Sequence, residues 1–251
     1  MHYQMWIWSK FENVIAHFLI AMMEELIILY YVLFYMFLLM YYHYNNIISY
    51  KEVAYMGKIK LLHGSDHIIE KPDLLLGKTN NDYGRGFYCT QELSMAMEWA
   101  CKKNSDGFVN KYVLEQDSLN ILNLLDGKYN ILHWMALLLK NRTFRLSNEI
   151  AIDACDYIIE NFSIDLKAYD VIIGYRADDS YFSFAESFVQ NGLPLRSLNE
   201  ALHLGRLGTQ TVLISEKSFR NLTFDGADFA DKTVYYPKFI ARDSNARETY
   251  R

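Results

Sequence analysis

Cysteine is scarce: Cys89, Cys101 and Cys155 are an odd number, widely spaced, with no CxxC pair. That excludes a disulfide framework and a zinc knuckle, and leaves core or surface thiols in a reducing compartment. Basic excess is missing too. With 25 Lys and Arg against 30 Asp and Glu the net charge is -5 and the pI is near 5.8. A broadly basic face that holds duplex DNA through phosphate contacts alone is therefore excluded, although a local basic patch is not. No internal repeat or low-complexity segment follows Met56, and no glycine or proline precedes Gly57.

What the chain has in excess is apolar residues, 51% of the total with 16% aromatic, above the usual share for a soluble domain. The surplus sits at the N-terminus. From Val14 to Met23 and from Leu26 to Tyr42 the sequence is apolar almost throughout, broken by His17, Glu24 and Glu25. The second run, LIILYYVLFYMFLLMYY, is on the short side for a bilayer core, but its terminal tyrosines suit an interfacial belt. Lys51, Lys58 and Lys60 follow it and Glu12, Glu24 and Glu25 precede it, which places the remainder of an anchored chain in the cytoplasm. No small-residue cleavage site follows the run, so a signal peptide fits poorly. Three readings of residues 1–55 stay open: a membrane anchor through residues 14–42, a buried or dimerising helix, or an overcalled start codon upstream of Met56.

After Met56 the texture becomes that of a soluble domain, read here as residues 56–240 with a polar tail at 241–251. KIKLLHGS, GFYCT, FVNKYVLE, LNILNLL, YDVIIGY and TQTVLIS read as strands. LSMAMEWA reads as a helix with Met95, Ala96, Trp99 and Ala100 on one apolar stripe, and further helices are expected around 131–139, 148–159 and 181–204. His133 and Trp134 sit in an apolar run and read as core. Strands outnumber the helices that could cross over between them, which favours an α+β fold with a split mixed or antiparallel sheet and packed helices.

Three pieces carry the chemistry when taken together: LLHGS at 61–65, GRGFYCT at 84–90 with Trp99 eleven positions beyond Tyr88, and TQTVLIS at 209–215. Alone, each is a turn or an ordinary strand. Together they resemble the ADP-ribosyltransferase superfamily, in the branch typified by the poly-ADP-ribose polymerase catalytic domain, whose signature is a His, a Tyr and a third polar residue on three strands. HGS, IIEKPDL, NDYGRGFYCT, AMEWA, YDVIIGYRADD and GTQTVLISEKSFRNL further resemble an uncharacterised bacterial family, the domain of unknown function 3990, from about Lys58 to Phe224.

The resemblance implies a catalytic set of His63, Tyr88 and Gln210, with Gly64, Ser65, Tyr88, Trp99 and Arg85 binding NAD as substrate and no metal. It implies mono-ADP-ribosyl transfer to a macromolecular acceptor, protein or nucleic acid, and by association a bacterial toxin or effector with an antitoxin partner. The alternatives are an NAD glycohydrolase and a catalytically silent module that binds NAD or ADP-ribose. Physically, an aromatic pair such as Tyr88 and Trp99 can clamp the flat cationic nicotinamide, Gly64 permits close backbone approach, and His63 and Ser65 can hold ribose hydroxyls.

Two positions depart from the family pattern. Vigorous members have Glu where Gln210 stands, so the hydrogen bond is kept and the charge is lost. Ala96 stands where a serine usually touches the carboxamide. On this reading Gln210→Glu speeds nicotinamide release. Asp82, beside Arg85 in the loop before Tyr88, and the pair Asp178 and Asp179 are further polar groups that can reach the cleft, or else a solvated turn and a helix cap. Sequencing the N-terminal peptide of the purified chain decides between anchor and overcalled start: an anchor predicts peptides from within residues 1–55, and an overcalled start predicts a chain that begins at Met56.

Overall fold

A computed structural model describes residues 34–36, 57–177, 179–204 and 208–249. The chain divides into two compact units, Met1–Met56 and Gly57–Arg251. Of the first, only Phe34, Tyr35 and Met36 are described, helical and exposed. The remainder of the apolar run at 14–42 lies outside the described residues, among which no helix is long and apolar enough to cross a membrane.

The second unit is α+β, with seven strands in two sheets. Strands β1 (Lys58–Ser65), β3 (Gly107–Glu115) and β7 (Leu222–Ala230) form an antiparallel sheet in the order β1-β3-β7. Strands β2 (Phe87–Cys89), β6 (Thr209–Leu213), β5 (Val171–Tyr175) and β4 (Ile121–Asn123) form a mixed sheet in the order β2-β6-β5-β4, in which only the β4/β5 pair is parallel. That parallel pair needs a long crossover, and helices α2 (Ile131–Asn141) and α3 (Glu149–Phe162) supply it.

The two sheets meet at a single antiparallel bridge between Leu62 and Thr90, closed by Leu62 N–H to Thr90 O at 2.8 Å and Thr90 N–H to Leu62 O at 2.9 Å. Because of that bridge β1, β2 and β6 lie side by side. Alternation along these short strands buries Leu61, Phe87, Cys89, Tyr112, Leu114, Val171 and Leu213 in one cluster shared by both sheets. A larger cluster packs α2, α3 and α4 (Asp179–Val189) on the mixed sheet around the buried Trp134. His133, expected in the core, instead completes a capping box: its Nδ1 accepts the backbone N–H of Asn130, whose side chain accepts that of Leu132. All three cysteines are buried and free, and burial pushes the Cys89 thiol well up, so it packs as a neutral group.

Helix α1 (Leu93–Ala100) lies across β1 with Ala96, Met97 and Ala100 against Val109 and Ala230. Its approach depends on Gly64. A Cβ on that residue would stand 2.2 Å from the Ala96 carbonyl oxygen, 2.6 Å from the Ala100 nitrogen and 2.9 Å from the Trp99 Cβ. The close approach that Gly64 allows is thus that of the helix that carries Trp99.

Three elements escaped the sequence reading, the short helix Glu216–Arg220 among them. Strand β7 has a half-exposed, Asp-containing pattern without clean alternation. Helix α7 (Lys232–Thr249) runs through the segment expected to fray as a polar tail, despite Pro237 inside it. Asp231 caps its start by accepting the Thr233 N–H at 2.7 Å, and Arg242 ties it to α1 through Glu98 at 2.6 Å. The remaining helices are α5 (Leu195–Leu204) and α6 (Glu216–Arg220).

Gly64→Ala is expected to lower stability by about 1–3 kcal/mol, because backbone atoms rather than a flexible side chain must give way. Thermal unfolding followed by circular dichroism should show a melting temperature lower by about 2–4 °C per kcal/mol for a domain of this size. An unchanged melting temperature would contradict the packing described.

Candidate functional site

A cavity of about 850 Å³ opens where β1, β2, β6 and α1 converge, within the usual range for small-molecule sites. His63, Gly64, Tyr88, Trp99 and Gln210 line it. Ser65 and Arg85 do not. The Ser65 hydroxyl donates to the His67 carbonyl and accepts from Asn110 Nδ2 at 3.0 Å, which ties it into the turn after β1. Arg85 is exposed on the loop before β2. Ala96 is fully buried on the core-facing side of α1. Asp178 is outside the described residues and Asp179 is described only as the first residue of α4, so the polar centre expected there lies outside them too.

His63 sits on β1 against β2. Its Nδ1 is 2.7 Å from the Tyr88 carbonyl oxygen, which can only accept, so Nδ1 carries the proton and Nε2 is left as an acceptor. The ring stacks on Phe87 at 4.4 Å between centroids. Burial lowers its pKa below the ordinary imidazole value, the Tyr88 bond opposes that shift, and His67 adds a small further lowering. The imidazole is therefore neutral through the physiological range.

Tyr88 points its hydroxyl into the loop before its own strand, donating to the Gly84 carbonyl at 2.7 Å and accepting the Tyr83 N–H at 3.0 Å. The loop can turn back in this way because Gly84 takes φ of 76°. Burial, first of all, raises the phenol far above its usual value, so it stays protonated. The ring is left as a wall of the cavity. The Trp99 ring, also in the lining, carries the Arg176 guanidinium 4.1 Å from its centroid, so that aromatic face already accepts a flat cation. The indole N–H of Trp99 is buried without a protein partner.

Sequence reasoning gave Asp82 no settled role, and the structure puts it at the centre. The residue is 6% exposed. Oδ1 takes Arg142 Nη1 at 3.0 Å, and Oδ2 takes the Ala177 N–H at 2.9 Å and Gln210 Nε2 at 3.1 Å. Burial raises its pKa, while the Ala177 N–H, Arg142 and Gln210 favour the ionised form. Gln210, 3% exposed, donates its second Nε2 hydrogen to the Tyr175 carbonyl at 3.0 Å.

The sequence reading also missed the contributors from outside the three motifs. Arg142 comes from the end of α2, Arg176 from the end of β5, and Tyr236 and Phe239 from α7. None has a local signal, since each is an ordinary residue brought in by the chain path. Among lining residues Lys78, Lys102, Lys103, Arg142 and Arg176 outnumber Asp73, Asp82 and Glu98. The cavity is thus cationic within a chain of net charge -5, and suits an anionic ligand with an aromatic end. Among the described residues no group of three or more His, Cys, Asp or Glu is placed to hold a metal ion.

An α+β domain with a split sheet and one aromatic, cationic cavity at the split is the class that fold and site define. Residues 59–224 match the model of the family described as "Protein of unknown function (DUF3990)", and the chain belongs to that family. No curated protein and no solved structure matches it. The match stops within β7, so α7 lies beyond it.

His63 is expected to titrate below 6.5 in an NMR measurement of its ring protons, and a midpoint at or above that value would contradict the site geometry. Since the folded pKa is the lower one, the unfolded chain takes up this proton first as the pH falls. The contribution is therefore fully present above about 6.5 and is lost as the pH drops through the depressed native value.

Proposed function

We propose that the chain binds NAD in this cavity and acts as a mono-ADP-ribosyltransferase, releasing nicotinamide and passing ADP-ribose to a macromolecular acceptor. The observation that carries the reading is the convergence of His63, Tyr88, Trp99 and Gln210, from three adjacent strands and one helix, on a single cavity. The resemblance of their motifs to the ADP-ribosyltransferase superfamily supplies the chemistry.

Nicotinamide in NAD is a flat cation, and the Trp99 face that holds the Arg176 guanidinium is a seat of that kind. On binding, the nicotinamide ring takes that seat between Trp99 and Tyr88. Arg176 turns toward the pyrophosphate, where Arg142, Lys78, Lys102 and Lys103 line the same cavity. His63 Nε2 accepts a ribose hydroxyl proton in a hydrogen bond, which fixes the torsion about the scissile bond.

The bond from C1′ to the nicotinamide nitrogen then breaks with its electron pair leaving on nicotinamide, and the ribosyl cation left behind is spread over C1′ and the ring oxygen. The acceptor's nucleophile forms the new bond to C1′ and loses its proton. Gln210, at the mouth of β6, accepts from the ribose as the charge develops. Action as a toxin or effector, and an antitoxin partner, belong to the same proposal and rest on the resemblance.

The full chain incubated with NAD and a cell lysate is expected to release free nicotinamide and to yield ADP-ribose adducts detectable by mass. Nicotinamide without adducts would assign the activity to hydrolysis, and no nicotinamide would leave a binding module. Trp99→Ala should weaken NAD binding by about tenfold in a calorimetric titration, because one face of the slot is lost. Unchanged affinity would remove Trp99 from the site.

A further inference from the structure

Position 210 lacks the carboxylate that would best stabilise a ribosyl cation, yet a carboxylate stands one hydrogen bond behind it. Gln210 Nε2 donates both its hydrogens, to Asp82 Oδ2 at 3.1 Å and to the Tyr175 carbonyl at 3.0 Å. A backbone carbonyl and an ionised carboxylate only accept, so exchanging the amide oxygen and nitrogen would set oxygen against oxygen twice. Chemistry therefore fixes the amide orientation. The only acceptor that the Gln210 side chain has, Oε1, takes part in neither of these bonds, and the residue lines the cavity.

Asp82 is suited to remain charged there. Three donors converge on its two oxygens, and a protonated carboxyl would have to donate where the structure offers donors. Burial raises its pKa above the usual carboxylate value, and the same three donors, with the Arg176 charge, oppose that rise without cancelling it, so the case for the anion is the donor geometry. Arg142 holds the far oxygen Oδ1 while Gln210 and the Ala177 N–H share Oδ2, so the anionic end of the Asp82–Arg142 pair faces Gln210. The other nearby cation, Arg176, lies over Trp99. An amide whose N–H bonds a carboxylate in a low-dielectric site is polarised, which strengthens its carbonyl oxygen as an acceptor.

We infer that Asp82 is a positioning residue that locks Gln210 with Oε1 toward the nicotinamide ribose and supplies, through the amide, the negative charge absent from position 210. The inference rests on the reading of the cavity as a nicotinamide ribose site. No proton moves to Asp82: as the glycosidic bond breaks and its electron pair leaves with nicotinamide, the ribose hydroxyl stays a donor to Oε1, and Asp82 offsets the growing positive charge from behind.

The consequence for Gln210→Glu reverses the expectation from sequence. That change alone replaces two donated hydrogen bonds with two acceptor-to-acceptor contacts, at Asp82 Oδ2 and at the Tyr175 carbonyl. Moving the charge forward requires Asp82→Asn as well, since the amide introduced at position 82 can then donate to the carboxylate introduced at position 210.

The test uses the full chain, unlabelled for NAD turnover and ¹⁵N-labelled for the side-chain amide of Gln210, assigned by triple-resonance NMR. Asp82→Asn should lower kcat for nicotinamide release by about tenfold, as loss of a group that orients a ligating side chain does, with KM changed by less than about twofold. Gln210→Glu alone should be slower than the wild type, and the double variant Asp82→Asn, Gln210→Glu should be faster than Asp82→Asn. A fold defect without a positioning role would lower the double variant at least as far as the single one.

In the wild type the Gln210 amide protons should be shifted from free-amide positions and protected from exchange, and in Asp82→Asn they should move toward those positions. Wild-type kcat in a folded Asp82→Asn, a double variant no faster than Asp82→Asn, or a free-amide Gln210 resonance in the wild type would each overturn the inference. If the wild type releases no nicotinamide, the proposed function falls, and the amide resonances decide the positioning role separately. That measurement on the wild type also stands if Asp82→Asn does not fold.

Discussion

A carboxylate inside a protein must be met by donors, and Asp82 draws them from separate segments of the chain: Arg142 at the end of α2, Ala177 after β5, and Gln210 on β6. Leaving any of those donors out would expose a buried charge to a desolvation penalty of several kcal/mol. The loop before β2 is therefore held against the ends of a helix and two strands. Those ends are the floor of the cavity. Tyr88 gains its orientation from the same loop, through Gly84 and Tyr83, and His63 gains its tautomer from the Tyr88 carbonyl.

The upper part of the site depends on how closely elements can approach. The bridge between Leu62 and Thr90 joins the two sheets, and beyond it the bare Cα of Gly64 lets α1 settle on β1. That contact delivers Trp99 to the cavity wall. Helix α7 then reaches over α1, with the Arg242–Glu98 ion pair 16% and 10% exposed at its two side chains, and Tyr236 and Phe239 complete the lining. A pair so little exposed is worth most as a geometric lock, since its Coulomb gain is largely offset by desolvation. What results is a cavity with an aromatic seat for a planar cation and a cationic wall for an anion.

Much of this was legible in the sequence, for reasons that can be named. KIKLLHGS, GFYCT and TQTVLIS are strands because their apolar positions alternate or run together between glycine-rich turns, and the α+β class follows from strands too close in sequence for helical crossovers. His63, Tyr88, Trp99 and Gln210 could be grouped because each sits in or just after one of those motifs. Gly64 was singled out for a close backbone approach to ligand, and the atoms that it makes room for belong to the protein's own helix. Ser65 and Arg85 are sequence neighbours of the site that turn elsewhere, because the direction of a side chain at a strand end or in a loop is set by its hydrogen-bond partners, here Asn110 and the His67 carbonyl for Ser65.

Asp82, Arg142 and Arg176 are the opposite case. Their partners lie 60 to 128 residues away along the chain in the cases of Arg142 and Gln210 with Asp82, and no local pattern encodes such a meeting. Helix α7 was hidden by Pro237 and by a polar composition that lacks an apolar stripe, and its order comes from the local cap at Asp231 and the tertiary tether at Arg242. The most direct measurement of the account is an intermolecular NOE experiment on the full chain with NAD. The account predicts contacts from the nicotinamide ring protons to the Trp99 indole and Tyr88 ring; contacts from the adenine protons to those rings in their place, or none from nicotinamide, would contradict it.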